Sequence, residues 1–415
     1  YLCSKFSCSG VIQARFLQLL CQRDFERMIW ILLACSLVML WVDRRVVNSS
    51  DISSVARRRW LVVLWLTDVL PFLVMAFALF LRDNPTWLSV GMLWAVWAYV
   101  VLSIARFPVM IAMAFFGNIW VRVAGVIVSV LAVAIFVYGM AVTRTDYEVR
   151  RVVIESGKVP ETFDGYKIVQ ISDLHVGNMV CQQQELNEII SICNGLEADA
   201  VAFTGDLVDI RCSELTDDVL ERLAKLKAHD GIYSVMGNHD IGVYIKDSIF
   251  FPPAVSAQMV IEAQRKMGWR VLEDETIHIR RGDDSIALTG ISFTPELQEY
   301  RHSANIPDVA IEGAYEGVAE GSFNITLVHI PQLWDVIVDK QLADLTLSGH
   351  VHSMQMKLPI GKRGISPSRV KYKRWSGLYE EDGRWLYIND GVGYVLYPMR
   401  IGARPEITLF ELKRE

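Results

Sequence analysis

Hydrophobic residues divide the chain into an apolar first third and a mixed remainder. Four apolar stretches lie in the first third, at residues 28–42, 60–81, 87–105 and 123–142. A helix needs about 20 apolar residues to cross a hydrocarbon core of about 30 Å. The second and fourth stretches are long enough, and the first would need help from neighbouring residues. The pattern predicts a transmembrane region of about four α-helices over residues 28–142.

Two features at the start of the chain leave alternatives open. Residues 107–121 are also apolar; they could extend the third helix, lie at the membrane interface or form a re-entrant turn. Five spans would reverse the topology of all that follows. Residues 1–27 are an uncertain N-terminal segment, because they begin without a methionine and carry scattered Lys and Arg residues. A translation start at Met28 is an alternative.

The rest of the chain alternates between helix-like and strand-like patterns. Residues 143–165 are polar, and we interpret them as a linker. Period-2 runs rich in Val, Ile, Leu and Thr predict strands, and longer amphipathic runs predict helices. The predicted helices lie at 182–195, 214–227 and about 257–267, and the predicted strands at 166–172, 199–204, 232–236, 269–280, 285–292, 323–328, 344–348, 385–389 and 406–411. Residues 166–415 are therefore predicted to form an α/β domain, a four-layer αββα sandwich.

Composition excludes several functions. The net charge of -6 argues against nucleic-acid binding, which usually needs a basic excess, so no nucleic-acid partner is expected. The seven cysteines form no Cys-x-x-Cys pair, which argues against a disulfide scaffold. Five of the eight histidines fall in short polar blocks. We interpret the other three, His229, His278 and His302, as surface or structural residues.

Each of five polar blocks follows a predicted strand. The blocks read Asp173-Leu-His175, Gly205-Asp206-Leu-Val-Asp209, Gly237-Asn238-His239-Asp240, Val328-His329-Ile-Pro331 and Gly349-His350-Val-His352. In open α/β sheets the loops at the carboxyl ends of the strands converge and bind ligands. Imidazole, carboxylate and amide groups without thiolates suit Mn, Fe or Zn. The blocks therefore predict a metal centre.

The order and wording of these blocks resemble the calcineurin-like metallophosphoesterase superfamily over about residues 150–415. The phrases LSGHVHSMQMKLP and RIGARPEITLFEL are similar to its membrane-associated branch, which contains UDP-2,3-diacylglucosamine hydrolases and related lipid phosphoesterases. That branch usually follows the Gly-His-x-His block with two glycines. Here Ser353 and Met354 follow it, which is a departure close to the expected substrate site.

The resemblance implies a pair of divalent metal ions, with Mn favoured over Fe or Zn. The implied ligands of one ion are Asp173, His175, Asp206 and His352, and those of the other are Asp206, Asn238, His329 and His350. Asp206 is then the bridge, and a hydroxide that bridges the two ions attacks phosphorus. The resemblance also implies that His239 donates a proton to the leaving oxygen and that Asp209 orients His239. A helix cap or a surface carboxylate is the alternative for Asp209.

We therefore expect a membrane-tethered phosphoesterase that hydrolyses a phosphodiester, diphosphate or phosphomonoester, with membrane lipids and a possible lipid-linked substrate as partners. A nucleotide phosphodiesterase or protein phosphatase, or a membrane sensor or transport protein with a phosphoesterase-like domain, is the alternative. Two stretches could form an apolar wall and a basic rim for the substrate. They are residues 241–260 and the segment that contains Lys371, Lys373 and Arg374. Ordinary packing explains them equally well.

The charges beside the apolar stretches predict an orientation in the plasma or inner membrane. With four spans, residues 43–59 and 106–122 share one side and carry seven Lys or Arg, against five on the other side. Cytoplasmic loops carry the excess of Lys and Arg, so a start at Met28 places the catalytic domain outside the cytoplasm. The basic residues of segment 1–27 would reverse this prediction.

Overall fold

The computed structural model describes residues 33–50, 53–247, 251–303, 306–361 and 364–415. It contains two compact units, Tyr1–Ala141 and Val142–Glu415. The described part of the first unit is helical, and the second unit contains two β-sheets.

Four helices make up the described part of the first unit. They span residues 33–49 (α1), Ser54–Phe80 (α2), Thr86–Phe115 (α3) and Ile119–Ala141 (α4). Within the described ranges, Thr86–Phe115 and Ile119–Thr145 are long and apolar enough to cross a membrane. The helical character predicted for this region is confirmed, and the count of four spans stays a prediction. Part of the first predicted span, residues 28–32, lies outside the described residues.

The apolar segment 107–121 belongs to two helices. It extends α3 as far as Phe115 and then begins α4. Between them, Asn118 Oδ1 accepts a hydrogen bond from the backbone N–H of Trp120 (2.8 Å), as a helix cap does. The two helices pack closely, because a Cβ on Gly125 would lie 2.8 Å from Ala112 Cβ.

One buried ion cluster connects three helices of this unit. Arg106 of α3 hydrogen-bonds Asp68 of α2 and lies 3.4 Å from Asp43 of α1. Both carboxylates are only 1% exposed. A carboxylate among apolar helices needs a cationic partner. The contacts of Arg106 therefore connect α3 to both α1 and α2.

The described residues of the second unit form twelve strands and four α-helices, together with short 3-10 helices. The strands are Glu148–Glu155 (β1), Lys167–Ile171 (β2), Ala200–Phe203 (β3), Gly231–Ser234 (β4), Arg270–Val271 (β5), Glu275–Arg281 (β6), Asp284–Ile291 (β7), Asn324–Val328 (β8), Leu345–Ser348 (β9), Gly377–Glu381 (β10), Arg384–Ile388 (β11) and Glu406–Lys413 (β12). The helices are Gln182–Gly195 (α5), Asp217–Leu223 (α6), Pro253–Lys266 (α7) and Trp334–Asp339 (α8). The first sheet has the order β1-β12-β2-β3-β4-β5, and the second has the order β10-β11-β9-β8-β7-β6.

The two sheets face each other across an apolar core. Ile168 and Ala202 of the first sheet belong to one cluster with Leu288, Leu327 and Leu347 of the second. Helices α5, α6 and α7 cover the outer face of the first sheet, and α8 covers the outer face of the second. Central strands such as β3 and β8 are buried along their whole length, because each sheet is covered on both faces there. The predicted α/β class is confirmed.

Three predicted elements differ from the structure. Residues 148–155, within the predicted linker, form β1 and pair in parallel with β12. The predicted strand 269–280 divides into β5 and β6, which belong to different sheets, and Asp274 between them has a left-handed φ of 54°. The predicted helix 214–227 is reduced to α6, whose first turn is capped by the hydroxyl of Thr216.

Candidate metal centre

All five polar blocks begin where a strand of a parallel set ends. Blocks at Asp173, Asp206 and Asn238 follow β2, β3 and β4 of the first sheet, and those at His329 and His350 follow β8 and β9 of the second. Because β2, β3 and β4 are parallel to one another, as are β8 and β9, each set of blocks emerges at one edge of its sheet. The two edges meet, and the structure brings all seven predicted ligands together between them.

The backbone at the ligands is held in an unusual conformation. Positive φ angles between 46° and 74° occur at Asp173, His175, Asp206, His350 and His352. Such angles persist in non-glycine residues only where the surrounding structure imposes them, and they cluster at functional sites. Gly349 permits the close approach of two blocks, because a Cβ there would lie 2.0 Å from Ser172 Oγ.

Asp173, His175 and His352 form the first ligand cluster. The His352 Nε2 atom lies 2.9 Å from Asp173 Oδ1 and 3.2 Å from His175 Nε2. All three side chains are at least 96% buried, with exposures of 0%, 1% and 4%. Three ligand atoms therefore point at one small volume inside the protein.

Asp206, His329 and His350 form the second cluster, beside Asn238. His329 Nε2 lies 3.1 Å from Asp206 Oδ2 and 3.0 Å from Asn238 Oδ1. Backbone carbonyls orient the two rings, because His329 Nδ1–H donates to Thr204 (2.7 Å) and His350 Nε2–H donates to Arg301 (2.9 Å). These bonds leave His329 Nε2 and His350 Nδ1 free for a metal ion.

The donor set fits two divalent cations. Asp206 Oδ2 lies 3.6 Å from His175 Nε2 and 3.1 Å from His329 Nε2, so one carboxylate oxygen reaches both clusters. Atoms that bind one ion at about 2.1 Å lie roughly 3.0–3.4 Å from one another. The observed separations are close to that range. Asp206 can therefore be shared, as the bridging assignment requires.

Comparison with known proteins agrees with this geometry. The family model described as Calcineurin-like phosphoesterase matches residues 166–354. The uncharacterized metallophosphoesterase YkuE of Bacillus subtilis is 30% identical over 261 residues, which cover 63% of this chain and 83% of that protein. The chain belongs to the calcineurin-like phosphoesterase family.

Two vertebrate relatives of the chain carry the name transmembrane protein with metallophosphoesterase domain. The one from Danio rerio is 31% identical and covers 70% of this chain, and the one from Bos taurus is 29% identical and covers 60%. The chain spans 62% and 54% of their respective lengths. The resemblance stated from the sequence is confirmed at the level of the superfamily.

The charges at the candidate metal centre favour cation binding. Burial opposes protonation of His175 and His329, but neighbouring carboxylates raise both pKa values to about 9. The carboxylate with the largest effect is that of Asp209 for His175 and that of Asp206 for His329. Burial also opposes ionisation of Asp173 and Asp206, yet the adjacent histidines hold the pKa of each carboxyl well below its usual range. Without metal the site holds protons on imidazoles, and a bound cation must displace them.

His239 lies beside the ligands, as the family pattern implies, but its contact with Asp209 differs from the expectation. His239 Nδ1–H donates to the backbone carbonyl of Asp209 (2.5 Å). The Asp209 carboxylate lies 4.0 Å from that nitrogen and 3.5 Å from His175 Nδ1. The backbone of Asp209 therefore orients His239, whereas its carboxylate acts mainly on His175. The role of His239 as proton donor stays a prediction.

The departure at Ser353 and Met354 has a structural explanation. Both residues have left-handed φ angles, 52° and 46°, which glycine adopts without strain. The Ser353 hydroxyl donates to Asp390 Oδ1 (2.5 Å), and Lys357 Nζ donates to Asp390 Oδ2 (3.0 Å). These buried bonds offset the strain of the serine. The chain thus retains the glycine-like conformation without the glycines.

Two supporting residues have no role in the sequence prediction. The Asp240 carboxylate accepts hydrogen bonds from four backbone N–H groups, including those of Asp206 and Gly237 at 2.8 Å each. It therefore holds the turn that carries the bridging aspartate. Tyr244 OH accepts a bond from Asn238 Nδ2 (2.9 Å), and its ring lies 4.4 Å from that of His239. The apolar loop after Asp240 was the only sequence signal for Tyr244.

His302, which the sequence interpretation left as either a surface or a structural residue, has structural contacts at the centre. Its ring stacks on that of His350 at 5.6 Å and 29°. It follows no predicted strand and matches no family block, so local sequence offered no signal for this position.

Proposed function

We propose that this chain is a membrane-tethered, two-metal phosphoesterase that hydrolyses the phosphate ester or diphosphate bond of a lipid-linked substrate. The observation that carries the proposal is the convergence of two ligand clusters on one oxygen of Asp206, with His239 beside them. Two divalent cations, for which we propose Mn²⁺, would neutralise phosphate charge and lower the pKa of a bound water.

The residues of the chain then have separate tasks. Asp173, His175 and His352 would hold one ion, Asn238, His329 and His350 would hold the other, and Asp206 would be shared. His239 Nδ1–H is occupied by the Asp209 carbonyl, so its Nε2 is the atom that can deliver a proton to the leaving oxygen. Tyr244 positions His239 and Asn238 together.

Two observations support a membrane-bound substrate. Relatives are named as transmembrane proteins, and two helices of this chain have the length and hydropathy of a span. In addition, Leu358 and Ile365 pair through backbone hydrogen bonds of 2.8 and 2.9 Å and expose 55% and 41% of their surface, shortly after His352. An exposed apolar pair that follows the last ligand block in the chain suits contact with acyl chains.

The experiment is a metal-controlled activity screen with the full chain in detergent. After chelation we expect no hydrolysis of any phosphate ester, and after addition of Mn²⁺ we expect recovery, with higher kcat/KM on lipid-linked than on soluble esters. Activity that survives complete metal removal would contradict the two-metal assignment. Equal kcat/KM on a soluble nucleotide would favour the nucleotide phosphodiesterase alternative.

We further propose that four spans place the catalytic unit outside the cytoplasm. The basis is that segments 43–59 and 106–122 carry seven Lys and Arg residues, against five on the other side, and cytoplasmic loops carry the excess. Alkaline phosphatase matures only in an oxidising exterior, so a fusion after Glu415 should be active. A control fusion after Ser53 should be inactive. An expressed but inactive fusion after Glu415 would show the opposite orientation.

A further inference from the structure

Arg400 is a buried cation that supplies no metal ligand, and its hydrogen bonds converge on one short segment. Its side chain is fully buried. The five N–H groups of the guanidinium all donate to backbone carbonyls, which belong to Asp390 (3.0 Å), Gly391 (3.0 Å), Gly393 (3.0 Å, with a second bond to the same oxygen) and Ala403 (3.2 Å). These carbonyls stabilise the buried charge, and Arg400 in turn fixes the path of residues 390–393.

Residues 390–393 are bonded to the strand end that carries the first ligand cluster. The backbone N–H of Val392 donates to the carbonyl of Ser172 (3.0 Å), and that of Gly393 donates to the carbonyl of Asp173 (2.9 Å). The segment therefore has Arg400 bonded to its carbonyls and the backbone of a metal ligand bonded to its N–H groups.

The same segment packs against His352, a second ligand of that cluster. A Cβ on Gly391 would lie 2.9 Å from His352 Nδ1, and Arg400 Nη2 lies 3.4 Å from the same nitrogen. His352 Nε2 faces Asp173 Oδ1, at 2.9 Å. Groups that contact a metal-ligating histidine from outside set the orientation of its ring. Arg400 and Gly391 are therefore placed to hold the ring while Nε2 faces the cluster.

The second cluster depends on other groups. Carbonyls from two other loops orient His329 and His350. The hydrogen bonds of Arg400 go to the segment 390–403 and to one ligand of the first cluster. The two clusters touch where the backbone N–H of His350 donates to the Asp173 carboxylate (3.1 Å). A change at Arg400 should therefore act mainly on the first cluster.

We propose that Arg400 is a positioning residue for the first of the two metal ions. By holding residues 390–393 against Asp173 and His352, it sets the affinity of the chain for that ion and leaves the second ion to its own ligands. The inference rests on the two-ion assignment of the proposed function. A lysine at this position would keep the charge, but its three N–H groups on one nitrogen cannot reproduce a planar fork of five donors.

The test is calorimetric titration of Mn²⁺ into the metal-free full chain in detergent, which gives a dissociation constant for each ion. His352→Ala and His350→Ala show which constant belongs to which cluster. For Arg400→Lys we expect the constant of the first ion to rise about 10–100-fold, the usual cost of losing a group that orients a ligand. The constant of the second ion should change less than about threefold.

A double variant separates positioning from a general structural role. In a His352→Ala chain the first cluster is already incomplete, so adding Arg400→Lys should leave the affinity for the remaining ion unchanged. A further loss of that affinity would mean that Arg400 only supports the fold, and it would overturn the proposal.

Gly391→Ala tests the segment with Arg400 in place. The added Cβ would press on His352, so the constant of the first ion should rise here as well, whether or not Arg400→Lys folds. Thermal unfolding of the metal-free chains shows which variants are folded. A folded Gly391→Ala chain with normal constants for both ions would contradict the proposed path from Arg400 to the ligands.

Arg404→Lys is the matched control, because Arg404 lies in the same segment, its side chain is 39% exposed and it pairs with Asp146 at 2.7 Å. It should leave both constants unchanged. Equal rises for both ions in a folded Arg400→Lys chain, or a rise for neither, would overturn the positioning role. If the unsubstituted chain binds two ions and Arg400→Lys weakens only the first, but no ester is hydrolysed, the proposed function fails and the assignment of Arg400 stands.

Discussion

The Asp206→Asn variant is expected to lose more than about 10²-fold in kcat/KM and to retain fewer than two metal ions per chain. Asp206 Oδ2 lies within 3.6 Å of His175 Nε2 and 3.1 Å of His329 Nε2, so it serves both clusters. A neutral amide bridges two cations poorly. Loss of a group that only orients a ligand costs about 10–100-fold, and loss of a shared ligand should cost more.

Asp217→Asn is the control for this substitution, because the Asp217 side chain is 89% exposed at the start of α6. It should leave metal content and kcat/KM unchanged. Metal content is measured by mass spectrometry of the native chain, and thermal unfolding shows whether each variant is folded. A folded Asp206→Asn chain with two metal ions and normal turnover would falsify the bridging role.

The His239→Ala variant should keep its metal and lose activity according to the leaving group. General acid catalysis contributes about 10²–10⁴-fold, and a poor leaving group such as an alkoxide depends on it most. We therefore expect a loss of that size for an alkyl ester and a much smaller loss for a nitrophenyl ester, whose leaving oxygen needs no proton. The measurement is kcat/KM for both esters at one pH.

His229→Ala provides the comparison, since the His229 side chain is 79% exposed and contacts Asp230 at the surface. It should change neither ester. Equal losses for both esters in His239→Ala would assign His239 to phosphate orientation instead of proton donation. His239 is oriented by the backbone carbonyl of Asp209, and Asp209→Asn retains that carbonyl. The Asp209→Asn variant should therefore keep the contribution of His239 to hydrolysis of the alkyl ester.

Most of the metal centre could be predicted from the sequence. Asp173, Asp206 and Asn238 each follow a short apolar run, and that pattern identifies a buried strand and its end from neighbouring residues alone. Parallel strands then bring their carboxyl ends to one edge. The same local signals predicted the apolar helices of the first unit, where the exact bounds depended on the turn at Asn118.

Other residues could not be placed in this way. His302 reaches His350 through a segment without a strand pattern, and Tyr372 meets it from a third segment. Asp209 was predicted by resemblance to act on His239 through its carboxylate, but the turn geometry presents its carbonyl instead. These contacts depend on how loops pack against the sheets, which neighbouring residues do not encode.

The sequence by itself determined the two-part organisation, the α/β class and the positions of the five polar blocks, which depend on local hydrophobic period and on residue types at strand ends. The family resemblance implied which seven residues of those blocks are the candidate ligands. Only the tertiary structure decided that residues 148–155 pair with β12, that Asp240 holds the turn of Asp206, and that His302 lies against the centre. The physical reason is that hydrophobic period specifies which face of an element is buried, whereas the partner of that face is chosen by packing among elements far apart in the chain.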